Sequence, residues 1–178
     1  MSDHVTVPLR SERLDLEPLR IEHAAEMAVV LGDPSLHTFI GGAPASEDAL
    51  RARYARMLAG SLDPEVSWCN WVLRSHAESV LTGTVQATLF PAAPTSPSGG
   101  RSAEVAWVVG TDWQGRGFAS EAARTLVAWL RTRDVTLVVA HVHPAHRASA
   151  AVAAAAGLSP TDVRQDGEVR WELCLPRG

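Results

Sequence analysis

The 178-residue sequence predicts an α+β fold, one domain built on a mixed, largely antiparallel sheet flanked by helices. Three observations carry the prediction. An alternating stretch near the N-terminus gives way to two stripes of helical period. Three β-prone runs then follow one another with short links. Finally, a glycine-rich turn leads from the last of these runs into a helix and a further strand. At 46% hydrophobic content the chain can bury one substantial core and is too short to expect two.

The elements follow in order. Residues 14–19 alternate apolar and polar side chains as a half-buried strand does. Ile21, Ala24, Ala25, Ala28 and Leu31 then mark one helix face. Ser46 followed by Glu47 and Asp48 signals a second helix start, with Leu50, Tyr54, Met57 and Leu58 as its stripe and Gly60 as its stop. Residues 68–73, 80–90 and 103–109 read as successive strands of an antiparallel meander. The break at 91–100 holds three prolines and reads as an exposed, mobile loop within one sheet. Ala119, Ala122, Ala123, Leu126, Val127 and Leu130 give a third helix, 135–142 a buried strand, an alanine-rich run to Gly157 a fourth helix, and 168–175 a last strand. A meander followed by a βαβ unit makes the sheet mixed.

A net charge of -4 supplies no basic face for a nucleic-acid backbone, so nucleic acid is not an expected partner. Residues 1–10 lack a positive segment followed by an apolar run, and no stretch approaches the roughly 18 apolar residues of a membrane span. Cys69 and Cys174 form neither a disulfide framework nor a zinc knuckle. The reading is a cytoplasmic protein with no membrane partner.

The turn at 110–120 lies between a strand and a helix, where free backbone N–H groups and the helix dipole favour an anion. Three phosphate-binding patterns compete. Gly110 to Gly115 has Walker A spacing, but Arg116 replaces the lysine and Gly117 removes the hydroxyl that magnesium needs. Gly115, Gly117 and Ser120 approximate a dinucleotide fingerprint, yet the turn follows meander strands instead of opening a parallel sheet. The third pattern is Q-x-x-G-x-A, read as Gln114, Gly117 and Ala119.

With that third pattern in place, the chain resembles the GCN5-related N-acetyltransferase (GNAT) superfamily almost end to end, in the branch that includes acetylases of ribosomal-protein N-termini. Residues 13–19 look like that branch's opening strand, 103–109 like its fourth strand, and 113–122 give the most specific match. Residues 143–149, continuing to Gly157 and Leu158, resemble its second signature. The resemblance implies a single acyl-CoA N-acyltransferase domain over 1–178, with the fourth and fifth strands (103–109 and 135–142) splayed apart. Acetyl-CoA would be the co-substrate, with no metal, its pantetheine arm lying against Trp107, Val108 and Val109. Its pyrophosphate would rest on the amides of Gly115, Arg116, Gly117, Phe118 and Ala119, flanked by Gln114 and Ser120. The resemblance leaves the chain free to act alone or as a homodimer.

Transfer to an amine needs a base, oxyanion donors and an acid for the departing thiolate. Glu104 is the only carboxylate on the fourth strand and reads either as the base or as a solvated strand-end residue. The family's thiolate-protonating tyrosine falls at Ala153, so Ser149 is the substitute candidate, with a helix cap as its structural alternative. His146 replaces the family's asparagine near the cofactor, and Leu158 an aromatic residue. His141, His143 and His146 could hold a metal, or one of them could serve as an alternative base. Glu121 reads as structural, complementing the helix dipole and capping free amides. The acceptor, a protein N-terminus or a small amine, would be shaped by residues 33–42 and 91–101. A non-catalytic coenzyme A binder, or an enzyme drawing on another carrier such as an acyl-tRNA, stays open beside this reading.

Overall fold

The computed structural model of the chain describes residues 6–92 and 99–176. Its centre is one eight-stranded sheet of strands β1 (Leu9–Arg10), β2 (Leu14–Pro18), β3 (Ser67–Ser75), β4 (Leu81–Phe90), β5 (Arg101–Val109), β6 (Val135–Val142), β7 (Ser159–Gln165) and β8 (Glu168–Cys174). The spatial order is β1-β2-β3-β4-β5-β6-β8-β7. Every neighbouring pair is antiparallel except β5 and β6, which run parallel. That one parallel pair follows from the helix α4 (Phe118–Leu130) that joins them, since a crossover returns the chain in its original direction.

Alternation along the strands divides the core in two. On one face α4 and α5 (Arg147–Ala155) cover Trp71, Leu73, Val85, Ala87, Ala103 and Val105. On the other, α1 (Ala24–Val30) and α3 (Glu47–Ala59) enclose Leu19, Met27, Leu50, Tyr54 and Val72. The helix start read at Ser46 is present: its hydroxyl accepts from the Ala49 N–H at 3.2 Å, and α3 stops at Gly60. The stripe beginning at Ile21 opens as a 3-10 turn, Ile21–His23, before α1, because His23 accepts the Arg20 N–H at 3.0 Å and tightens the entry.

Three elements are additions to the sequence reading. β1 and the four-residue helix α2 (His37–Ile40) are too short to show a period, and β7 is exposed along nearly all its length, so no alternation marks it. Most of the proline-containing loop, 93–98, lies outside the described residues, as do 1–5 of the N-terminal segment. Among the described residues no helix is long and apolar enough to cross a membrane.

The feature that positions the site is a loss of pairing. β5 stays in register with β4 as far as Gly83 and Val109, and β6 with β8 as far as Val142 and Val169. Between β5 and β6, pairing ends at Glu104 and Val139, and the two strands then part. Gly83 permits the departure: a Cβ there would lie 2.2 Å from the Val108 carbonyl oxygen, so only glycine lets the end of β5 lean onto β4.

Candidate active site

The phase of the β4–β5 ladder decides what faces the gap. The Gly110 N–H donates to the Thr82 oxygen at 2.8 Å, so alternate residues 108, 106 and 104 also turn their main chain to β4. Val105, Trp107 and Val109 therefore turn theirs toward β6, the side to which the Arg101 N–H also points when it donates to Asp134. The Val105 N–H still makes the last rung of the parallel ladder with Val139 and the Val109 carbonyl accepts from Gln114, so the Val105 carbonyl, both main-chain groups of Trp107 and the Val109 N–H line the edge that β6 leaves. Val108, by contrast, gives its main chain to β4 and its side chain to the α1 and α3 face of the sheet.

At the end of β5 a 3-10 turn, Thr111–Trp113, leads to Gly115 (φ 75°), Gly117 (φ 80°) and the start of α4. Among the described residues no side chain caps α4. Among the described residues the N–H groups of Gly115, Arg116, Gly117, Phe118, Ala119 and Ser120 meet no protein acceptor. They form a nest of free donors at the positive end of a 13-residue helix. The turn is held from behind. Arg13 donates from Nε to Glu121 and from Nη1 to the Arg116 carbonyl, at 2.7 and 2.8 Å, and its guanidinium lies 5.0 Å from the Phe118 ring centroid. Glu121 also accepts from the Ser11 hydroxyl and the Arg13 N–H, both at 2.7 Å. Glu121 is thus structural as read, but it binds the β1–β2 connection instead of capping its own helix. Burial alone would raise its carboxyl; the hydrogen bonds from Ser11 and Arg13 outweigh burial and hold it below the usual range.

Two predicted side chains brace the turn. Gln114 donates from Nε2 to the Val109 carbonyl at 3.0 Å, and Arg116 pairs with Glu78 and donates to the Asp112 carbonyl. The Trp113 indole N–H completes the Glu78 site at 2.9 Å. Trp113 first, then Arg116, holds the Glu78 carboxyl below its ordinary value.

Each face of the gap carries its own chemistry. On the α4 and α5 face, the Trp107 indole N–H donates to the Ser149 hydroxyl at 3.1 Å and spans the opening. The Ser149 N–H in turn donates to His146 Nδ1 at 3.1 Å, making His146 the N-cap of α5. Burial pushes His146 below the ordinary histidine range, consistent with a neutral ring whose Nδ1 accepts. Ala153 is fully buried in the core below. On the opposite face, Glu104 is half exposed and its Oε2 lies 4.0 Å from Nε2 of His141, whose side chain is 11% exposed. The rings of His143 and His146 lie 5.2 and 4.3 Å from that of Phe39, so α2 reaches over the mouth of the gap. Among the described residues no group of three or more His, Cys, Asp or Glu side chains could hold a metal ion, and the three histidines do not converge.

Sequence reasoning missed Arg13 and Glu78 as supports of the turn. The partners lie 103 to 108 residues away for Arg13 and 35 to 38 for Glu78, and no local pattern encodes such pairs.

Comparison with known proteins agrees with this geometry. The family model described as acetyltransferase (GNAT) domain matches residues 13–159. An acetyltransferase from Agrobacterium tumefaciens superposes with a TM-score of 0.72 at 24% identity, covering 96% of each chain. A ribosomal L7/L12 alpha-N-protein acetyltransferase in complex with coenzyme A gives 0.74 at 14% identity, covering 95% of this chain and 98% of the other. A chimera of spermidine N-acetyltransferase from Vibrio cholerae gives 0.68 at 16%, covering 92% and 96%. No curated protein sequence matches the chain. With the family model spanning most of its length, the chain belongs to the acetyltransferase (GNAT) domain family, and with it to the acyl-CoA-dependent N-acyltransferases.

Proposed function

We propose that the protein moves an acetyl or similarly short acyl group directly from acetyl-CoA to a primary amine, with the carrier entering from the α4 and α5 face and the amine from the α1 and α3 face. The observation that carries this reading is the continuous path from the unpaired edge of β5 to the free amides of the α4 turn. The pyrophosphate fits those amides, which supply donors and a positive helix end with no protein acceptor competing for them. The pantetheine arm is itself a chain of amides and can pair with the Val105 carbonyl and the main-chain groups of Trp107. The Trp107 or Val109 N–H would donate to the thioester oxygen as negative charge builds on it.

Glu104 is the proposed base. It accepts a proton from the incoming ammonium, and His141 beside it shares the positive charge or relays the proton through water. The amine then forms the new C–N bond as the C–S bond breaks. Ser149 is the proposed acid: its oxygen already accepts from Trp107, so its own proton passes to the departing sulfur while its oxygen takes up, through water, the proton that the acylated nitrogen sheds. His146 is proposed as a cofactor-side residue that acts by holding α5, and so Ser149, in place.

The test is release of free thiol from acetyl-CoA in the presence of a panel of primary amines. Acceptor-dependent release is expected, with Glu104→Gln lowering kcat/KM on the order of 100-fold and recovering at higher pH, where the amine deprotonates unaided. Tight coenzyme A binding with no acceptor-dependent thiol would instead make the chain a non-catalytic binder.

A further inference from the structure

Alternation along β5 sends the side chains of Val105, Trp107 and Val109 to the α4 and α5 face, where all three meet the larger core cluster. Trp107 is the largest of them and reaches across to another element. Its indole N–H donates to the Ser149 hydroxyl, in the first turn of α5, at 3.1 Å. The indole therefore lies across the slot on the face assigned to the acyl carrier. It stands two residues, about 7 Å along the strand, before Val105, whose pairing with β6 closes the slot.

The surroundings of the indole leave little slack. Val105, Ala140, Val142 and Ala153 are each no more than 4% exposed and belong to the cluster against which Trp107 packs. A close-packed interior of this kind resists added methylene groups, because each one forces side chains off their preferred rotamers. The thioester oxygen, held by the Trp107 or Val109 N–H, brings the acyl carbon beside the root of the indole. From there an acyl tail has three ways to grow. One runs toward the closed rung at Val105, and one toward the face from which the amine attacks. The third runs into the indole, which can swing aside only by giving up its hydrogen bond to Ser149. A two-carbon group needs none of these paths, whereas a longer chain needs one.

Resting on the acetyltransferase reading, we infer that Trp107 is the acyl gauge of the enzyme: its indole, fixed between β5 and Ser149, admits an acetyl group and excludes butyryl and longer chains.

Calorimetric titration with coenzyme A, acetyl-CoA, butyryl-CoA and hexanoyl-CoA tests the gauge without any amine acceptor. The unaltered protein should bind acetyl-CoA at least about tenfold more tightly than butyryl-CoA, and hexanoyl-CoA more weakly still, since a single methylene in an apolar pocket is worth roughly tenfold or more. Trp107→Ala, which removes the wall and keeps the main chain, should bring butyryl-CoA to parity with acetyl-CoA or beyond. Trp107→Phe, which shortens the wall and keeps an aromatic ring in the core, should leave an intermediate preference. Each protein is judged by its own ratio of affinities, so a general loss of binding in a variant does not mask the result. Circular dichroism establishes folding, and Trp107→Phe carries the comparison if Trp107→Ala does not fold. Equal binding of acetyl-CoA and hexanoyl-CoA by the unaltered protein, or an undiminished preference in the folded variants, would overturn the gauge and leave the acetyltransferase reading standing. Failure of the unaltered protein to bind any of these carriers, coenzyme A included, would remove that reading and the gauge with it.

Discussion

His146 joins stability and site in one side chain, since the ring nitrogen that caps α5 also fixes the helix turn bearing Ser149. Replacing His146 with alanine leaves the cap unmade and should cost about 1 kcal/mol in urea unfolding, while asparagine, a good N-cap residue, should retain most of it. The titration has a definite sign. Burial depresses the folded-state value below the ordinary 6.5, so the unfolded chain binds more protons as pH falls. The stabilising contribution is therefore complete above about pH 6.5 and is lost as pH drops through the folded value. His23, depressed first by burial and then by Arg20, adds to the same trend. The melting temperature should fall on acidification below neutrality, and less steeply in His146→Asn. At this scale the strand and helix that carry the two candidate residues were legible, because their signals are local: Glu104 lies at the last position of β5 paired with β6, and Ser149 meets the gap through Trp107. It was silent where partners are remote. Nothing near His141 in the chain announces that it faces Glu104, and only the β5–β6 register brings them within 4.0 Å.

Among the elements, the α4 turn depends on a strand segment about a hundred residues earlier. Arg13 ties Glu121, the Arg116 carbonyl and the Phe118 ring into one unit. Arg13→Ala leaves the mostly buried Glu121 carboxylate short of its charged partner, and should cost about 2 kcal/mol in chemical denaturation while also weakening acetyl-CoA binding. Lysine at this position should recover part of the stability but not the planar fork, which reaches two acceptors at once. The strands of the meander and the helix stripes were readable because burial on one face imposes a period on the sequence. β7 was not, since an exposed edge strand with burial on neither face leaves no period to read. The parting of β5 from β6 also leaves no periodic trace. Val105, Trp107 and Val109 look like ordinary strand residues, and the gap was anticipated through family resemblance alone.

For the whole molecule, the sheet acts as a partition. Its α4 and α5 face presents the free-amide turn, Trp107 and Ser149; its α1 and α3 face presents Glu104, His141 and a cavity lined by Gln86 and Val108. The slot between β5 and β6 is where the two faces communicate, and direct transfer between two bound substrates requires such a slot. The measurement that tests this account most directly is calorimetric titration of acetyl-CoA into the protein and into Gly117→Glu, with circular dichroism establishing that the variant is folded. The positive φ at Gly117 makes any side chain cost roughly 1 to 2 kcal/mol, a strain the fold should survive. A glutamate there also brings a carboxylate to the free amides that the pyrophosphate would use. The expected result is measurable binding to the protein and a loss of at least about 100-fold in the folded variant, a fold-change corresponding to two steps of 1.4 kcal/mol. Equal affinity in the two proteins would contradict the account, because it would remove the α4 turn from the acyl-carrier site.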